Sequence, residues 1–180
     1  MFAPGTILET DPEHFNPLAC IPDVLWDSGG LVMGQLRQIT GLETAVIQNW
    51  IKRGYVAPPI NKHYTIDQVA RILIINALRD SLPLEKIAQL IRFVNGSLVD
   101  TSDDLIADSR LYDLFCRMAV VLQENNYHTF EQMEAFADVQ TASIEPAAAR
   151  PRIRTVLLLM SVCYQSILIR QRVENWIDEL

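Results

Sequence analysis

Within "GLETAVIQNWIKRGYVAPPINKHYT", residues 41 to 65, Ala45, Gln48, Asn49 and Lys52 recur at i, i+3, i+4 and i+7. That spacing places them on one face of a helix. Val46, Ile47, Trp50 and Ile51 take the opposite face, which is apolar and suited to burial, so Trp50 is expected in the core. The outward set is small, polar and basic, with Arg53 beside it. Such a face suits hydrogen bonding to base edges and phosphates. Gln and Asn pair bidentately with adenine, Lys and Arg reach guanine or phosphate, and Ala permits close approach. The plainer alternative is a helical hairpin whose polar side meets only water.

Other chemistries have less to work with. His14, His63 and His128 are scattered, and no Ser/His/Asp, Cys/His or paired-carboxylate arrangement is visible, so an enzyme is not expected. Cys20, Cys116 and Cys163 lack zinc spacing and read as free, mostly buried thiols of a reducing cytoplasm rather than a redox sensor. Asp100, Asp103, Asp104 and Asp108 lack the spacing of an EF-hand loop. Acid near a helix N-terminus, where the helix dipole favours it, explains them more simply. Neither a metal nor a cofactor is expected.

The net charge of −7 argues at first against nucleic acid, but its distribution does not. Residues 1–34 carry five acidic groups and no Lys or Arg, residues 35–92 carry eight Lys/Arg against four Asp/Glu, and residues 93–180 carry seven against thirteen. The one net-positive segment, at +4, holds the quoted stretch. Phosphate contact needs a local basic surface, which whole-chain charge does not report.

The elements that must position this face are helices. Residues 1–30, rich in Pro, Gly and Asp, read as an irregular arm anchored by Leu25 and Trp26. "MGQLRQITG" is a short helix stopped by Gly41, and the helix of the quoted stretch, with Thr44 as its expected N-cap, stops at Gly54. Two adjacent prolines keep "VAPPINKHY" out of a helix. "TIDQVARILIINALRDS" begins at a Thr65 cap, is apolar on most sides and should be the buried centre, with Asn76 bonded to backbone there. "LPLEKIAQLIRFVNG" follows, with Gly96 as its expected stop. Leu111, Phe115, Met118 and Leu122 mark the core face of another helix, a short one is expected near 129–138, and a long apolar one over 153–177. The uncharged run of that last helix, Thr155 to Ile169, is 15 residues, short of the roughly 20 that span a bilayer, so a bundle or oligomer interface is expected instead of a membrane span.

The run "LRQITGL…VIQNWIKRGYVAPP…KHYTIDQVARILIINALRDSLPLEKIAQLI" resembles the MerR-type helix-turn-helix with its wing and two following helices. The likeness covers about Met33 to Arg92. Gly41 and Leu42 fall at the family's turn, Gly54 and Pro58 at the end of its recognition helix and the entry to its wing, and Tyr64 at the aromatic that closes the wing. The whole chain is also similar to an uncharacterised bacterial family that carries this domain. There are departures. Gln48 and Asn49 stand where an Arg and an aromatic are usual, Glu43 stands where a Ser usually caps the helix, and the short 56–64 wing has Lys62 and His63 in place of the usual Arg.

The resulting expectation is an all-α chain: an arm over 1–30, a MerR-like winged helix-turn-helix module over 31–96 and a helical bundle over 97–180. What the resemblance implies is a cytoplasmic, dimeric regulator of transcription that binds double-stranded DNA. Helix 45–53 would enter the major groove and the 56–64 wing would lie on the backbone. The expected contacts are Arg37, Thr44, Ala45, Gln48, Asn49, Lys52, Arg53, Lys62, His63 and Tyr64. A homodimer is expected through the last helix, with any small-molecule effector unknown. The rival is a protein-interaction module that kept the fold and lost DNA affinity.

Overall fold

The structure, a computed structural model, describes residues 2–10, 15–98, 102–124 and 128–180. Eight α-helices carry most of these residues: α1 Asp23–Asp27, α2 Met33–Thr40, α3 Thr44–Lys52, α4 Ile66–Leu78, α5 Leu84–Val94, α6 Asp108–Glu124, α7 Phe130–Thr141 and α8 Arg150–Asp178. Two short strands, β1 Leu31–Val32 and β2 His63–Tyr64, pair antiparallel with Leu31 opposite Tyr64 and Val32 opposite His63. The chain is all-α with one small ribbon.

α4 is the hub. Thr65 caps it by accepting from the Gln68 amide, while the Gln68 side chain accepts from the Thr65 amide at 2.9 Å. This reciprocal pair settles two of the four amides that every helix start leaves open. Beyond the cap, Val69 through Ile75 are all buried, as expected of the central helix. α4 packs on α6, and α6 and α7 pack on α8, which also meets α5. One hydrophobic cluster therefore runs from Leu36 and Ile47 at one end to Leu157 and Tyr164 at the other. Phe115 of α6 and Tyr164 of α8 meet edge to face at 5.5 Å within it. By length and composition α8 could cross a membrane, but Ile153, Val156, Leu157, Met160 and Tyr164 are spent in this core.

Arg71 is the one charge in the buried run of α4. Its Nε donates to Asp108 Oδ2 at 2.5 Å, and both residues are 7% exposed. The fully buried Asn95 donates its amide to Asp108 Oδ1 at 2.7 Å, and Asp67 accepts from the Ser109 amide at 2.9 Å. The acidic start of α6 is thus explained chiefly by a buried cation. α5 ends at Val94 with Asn95 as its cap, and Gly96 lies beyond that end, where a Cβ would meet the Asp103 carboxylate at 2.2 Å. Asp100 of the expected acidic group falls outside the described residues.

The arm is more ordered than expected. It includes a 3-10 turn over Pro17–Cys20 as well as α1, and Leu25 and Trp26 pack on the core. Its first residues thread between elements. Tyr112 of α6 donates to the Pro4 carbonyl, Asn76 of α4 donates to the Gly5 and Thr40 carbonyls, and the Ile7 amide donates to the Ile39 carbonyl of α2. Gly5, at φ +73°, passes so close to α4 that a Cβ would sit 2.0 Å from the Leu73 carbonyl oxygen. All three cysteines are free; Cys116 is buried, Cys163 half-buried and Cys20 exposed. Burial pushes the Cys116 thiol well above its ordinary range, away from a reactive thiolate.

Removing one member of a buried ion pair strands the other. Asp108→Ala is expected to lower unfolding free energy by about 3–5 kcal/mol, whereas the double change Arg71→Met/Asp108→Leu costs far less. Urea unfolding of the two variants beside the unaltered chain checks this; equal losses would show that the stranded charge is not the cause.

Candidate nucleic-acid interface

α2 and α3 are joined by Gly41, Leu42 and Glu43. Gly41 sits at φ +68°, closes α2 by donating its amide to the Arg37 carbonyl, and would bring a Cβ to 2.8 Å of Ile7. α3 begins one residue earlier than the expected cap implies. Glu43 is its N-cap and Thr44 its first helical residue. Glu43 makes no side-chain capping bond and instead accepts from Arg37 at 3.0 Å. At the far end the Tyr55 amide reaches back to the Trp50 carbonyl and the Gly54 amide to Ile51, with Gly54 in the left-handed region, so the chain reverses sharply.

α3 divides as its spacing predicts. Ile47 and Trp50 are 0% and 2% exposed, with Val46 and Ile51 packed beside them. Ala45, Gln48, Asn49, Lys52 and Arg53 are all exposed, and Thr44 is half-buried at the edge. Arg37 on α2 is exposed too. The expected polar face is therefore present as one continuous stripe of a rigid helix.

Its cations differ in how they are held. Arg53 is paired with Glu85 of α5 and lies over the Tyr55 ring, 4.9 Å from its centre. The Tyr55 hydroxyl donates to the same Glu85 oxygen at 2.8 Å. The Glu85 carboxyl is held below the ordinary carboxylate range, first by the backbone amide at the start of α5 and then by Tyr55. Burial and the bond to Glu85 push the Tyr55 hydroxyl up. Glu85 was not singled out by sequence, because its partners lie 30 and 32 positions away.

The segment after Tyr55 forms a tight hairpin. The Ile60 and His63 backbones exchange two hydrogen bonds, each 2.9 Å, around Asn61 and Lys62. Those two residues have φ of 50° and 68°, the conformation of a type I′ turn. Lys62 is exposed at the tip, and His63 is half-buried with its Nδ1 2.9 Å from the Asn61 carbonyl oxygen. Tyr64 must be withdrawn from the expected contacts. It is 2% exposed, paired through β2 with Leu31, and belongs to the core. An aromatic that closes a hairpin onto the core cannot also face a ligand. Gly30 lets that pairing form, since a Cβ there would meet the Tyr64 carbonyl oxygen at 1.9 Å.

Among the described residues no three His, Cys, Asp or Glu side chains stand together as metal ligands. His63 and His128 are far apart in the chain and serve different elements. His14 lies outside the described residues.

A family profile described as a domain of unknown function (DUF1836) matches residues 31–115. The uncharacterized protein YkrK of Bacillus subtilis (strain 168) is 31% identical over 85 residues, which is 45% of this chain and 36% of that protein. The chain thus spans only about a third of the length of this curated relative. No solved structure matches. The profile match begins at β1 and closes inside α6, so it takes in the α2–α3 pair, the hairpin and both Arg71 and Asp108.

A left-handed conformation costs an ordinary residue about 1–2 kcal/mol, against roughly 0.5–1 kcal/mol of extra chain entropy for glycine. Lys62→Gly is therefore expected to stabilise the fold by about 0.5–1 kcal/mol. Thermal or urea unfolding checks it, and a loss of stability would mean that the Lys62 side chain makes a compensating contact.

Proposed function

We propose that this chain is a cytoplasmic DNA-binding transcription regulator, built on a MerR-like winged helix-turn-helix, that reads duplex DNA with α3. The observation that carries the reading is the division of α3: an apolar face with Ile47 and Trp50 buried and Val46 and Ile51 half-buried, and an exposed stripe of Ala45, Gln48, Asn49 and Lys52. That composition is what base edges and phosphates in a major groove can use. Arg37 and Arg53 flank the stripe, and Lys62 is held at the hairpin tip in a conformation that favours glycine. A basic residue kept where the backbone resists it fits a role on the phosphates.

In this reading α3 lies in the groove with Gln48 and Asn49 at base edges and Lys52 on guanine or phosphate. The hairpin is the wing, and Lys62 and His63 lie along the neighbouring backbone. Arg37 and Arg53 are held by exposed carboxylates, so phosphate must displace Glu43 and Glu85. Exposed pairs contribute only about 0–1 kcal/mol, which makes that exchange easy. The same pairs keep the cations oriented before DNA arrives.

Two copies allow two half-sites to be read. Along the outer side of α8, Leu159, Val162, Ser166, Ile169, Val173 and Trp176 follow in alternating steps of three and four. All but the half-buried Val162 are exposed. That is the 3.5-residue repeat with which helices pair along a seam, and it supports a homodimer through α8.

Selection from a randomised duplex pool at two salt concentrations tests the reading. A motif with two half-sites is expected, with affinity falling steeply as salt rises. Lys52→Ala/Arg53→Ala should abolish the enrichment, and Glu85→Gln, which frees Arg53, should strengthen binding at fixed salt. Absence of enrichment at low salt would leave the fold as a protein-interaction module.

A further inference from the structure

Residues 2–8 are held by α2, α4 and α6 in the manner of a bound peptide. The Tyr112 hydroxyl donates to the Pro4 carbonyl at 2.8 Å, and Asn76 Nδ2 donates to the Gly5 carbonyl at 2.8 Å. Gln123 exchanges two bonds with Phe2, accepting from its amide at 3.2 Å and donating to its carbonyl at 2.9 Å. A further tie is wholly backbone, from the Ile7 amide to the Ile39 carbonyl at 3.0 Å. Each of these bonds grips the main chain of the segment and none grips a side chain. The segment is also closed on itself, since the Ala3 amide donates to the Leu8 carbonyl and the Thr6 amide to the Ala3 carbonyl.

The apolar part of this grip is small. Ala3 and Pro4 are buried, whereas Phe2, Ile7 and Leu8 are exposed. A segment that buries two small side chains and hangs by a few hydrogen bonds opens at less cost than the core beneath it.

Where it docks gives it leverage. Asn76 Nδ2 is shared between the Gly5 carbonyl and, at 3.2 Å, the Thr40 carbonyl at the end of α2. The Thr40 hydroxyl in turn accepts from the Leu42 amide at 3.1 Å. Ile7 lies where a Cβ on Gly41 would need to be. The segment therefore bears on Ile39, Thr40 and Gly41, the residues from which the chain turns into α3.

We infer that residues 2–8 are a detachable strap that sets the α2–α3 turn. Docked, they hold the end of α2 against α4; released, they leave that turn loose while the rest of the core stays folded. The strap lies outside the profile-matched stretch 31–115, whereas Asn76 and Tyr112, which hold it, lie within. Because α3 leaves the turn directly, the strap governs how firmly α3 is presented. What this does to duplex binding rests on the proposed function; the strap itself does not, and is measured without DNA.

The test uses the full chain labelled with ¹⁵N. In the unaltered protein the Ile7 and Leu42 amides are expected to exchange with solvent at least a hundredfold faster than those of Phe115 and Leu157, after correction for intrinsic rates. Gly5→Ala puts a Cβ 2.0 Å from the Leu73 carbonyl oxygen, at a φ of +73°, and so dislodges the strap while every residue that holds it is kept. In that variant the backbone order parameters of residues 2–8 should fall from about 0.85 to below about 0.6. Gly41 and Leu42 should gain relaxation dispersion, while Phe115 and Leu157 keep their order and gain none. The inference is overturned if Ile7 and Leu42 exchange as slowly as Phe115 and Leu157, or if the strap stays ordered in Gly5→Ala. It is equally overturned if the strap is released with no dispersion at Gly41 and Leu42, or if Phe115 and Leu157 lose their order with it, which would make residues 2–8 part of the core.

Discussion

A guanidinium in the middle of an apolar helix must be answered, and the answer organises this molecule. Arg71 sits in the run of α4 where every neighbour is buried, and ionised Arg cannot shed its charge to escape. Asp108 answers it from 37 positions away, and Asn95 holds Asp108 from the end of α5. The three residues fix where α5 ends, where α6 begins and how both lie on α4. Since the hairpin is tied to the start of α4 through Thr65 and Gln68, the same node sets the position of the hairpin. The profile-matched stretch closes just beyond Asp108, so it contains the whole node. A unit cut at residue 96 would have left Arg71 without its partner.

The other cations are held differently. Arg37 and Arg53 pair with Glu43 and Glu85 at the surface, where water competes and the net gain is small. Arg154 pairs likewise with Asp138 and Glu134 in the bundle. The chain as a whole is acidic, so a carboxylate lies near almost any surface cation. What distinguishes the proposed DNA face is that its pairs are exposed and its scaffold is rigid. A buried pair is fixed into the fold; an exposed one can exchange its carboxylate for a phosphate without disturbing what lies beneath.

Local order was legible in the sequence to a fine grain. The left-handed Gly41 and Gly54, the Thr65 cap and the two faces of α3 were all readable, because each depends on residues within one or two turns. Asn76, expected to bond backbone in the core, does so, though its partners at Gly5 and Thr40 could not be named. Pairings across the fold were not legible. Nothing near Arg71 announces Asp108, and nothing near Arg53 announces Glu85. Tyr64 shows the reverse error: its place beside Lys62 and His63 suggested a ligand contact, but strand alternation turns it inward against the core. The order of residues 2–10 was also hidden, because it comes from carbonyls that α4 and α6 side chains seek out, not from any helical pattern of its own.

Local conflicts remain once these interactions are in place, and one of them lies at the tip of the hairpin. Lys62 holds a left-handed conformation there, while Asn76 Oδ1, Asn95 Oδ1, Asp104 Oδ1 and His128 Nδ1 are buried without a hydrogen-bond partner among the described residues. At position 62 glycine would suit the fold alone. Sequences that agree with their fold at nearly every level tend to break agreement where something other than folding is being served. A phosphate drawn to the tip would act on the few residues between Ala57 and His63, which Gln68 ties to the start of α4.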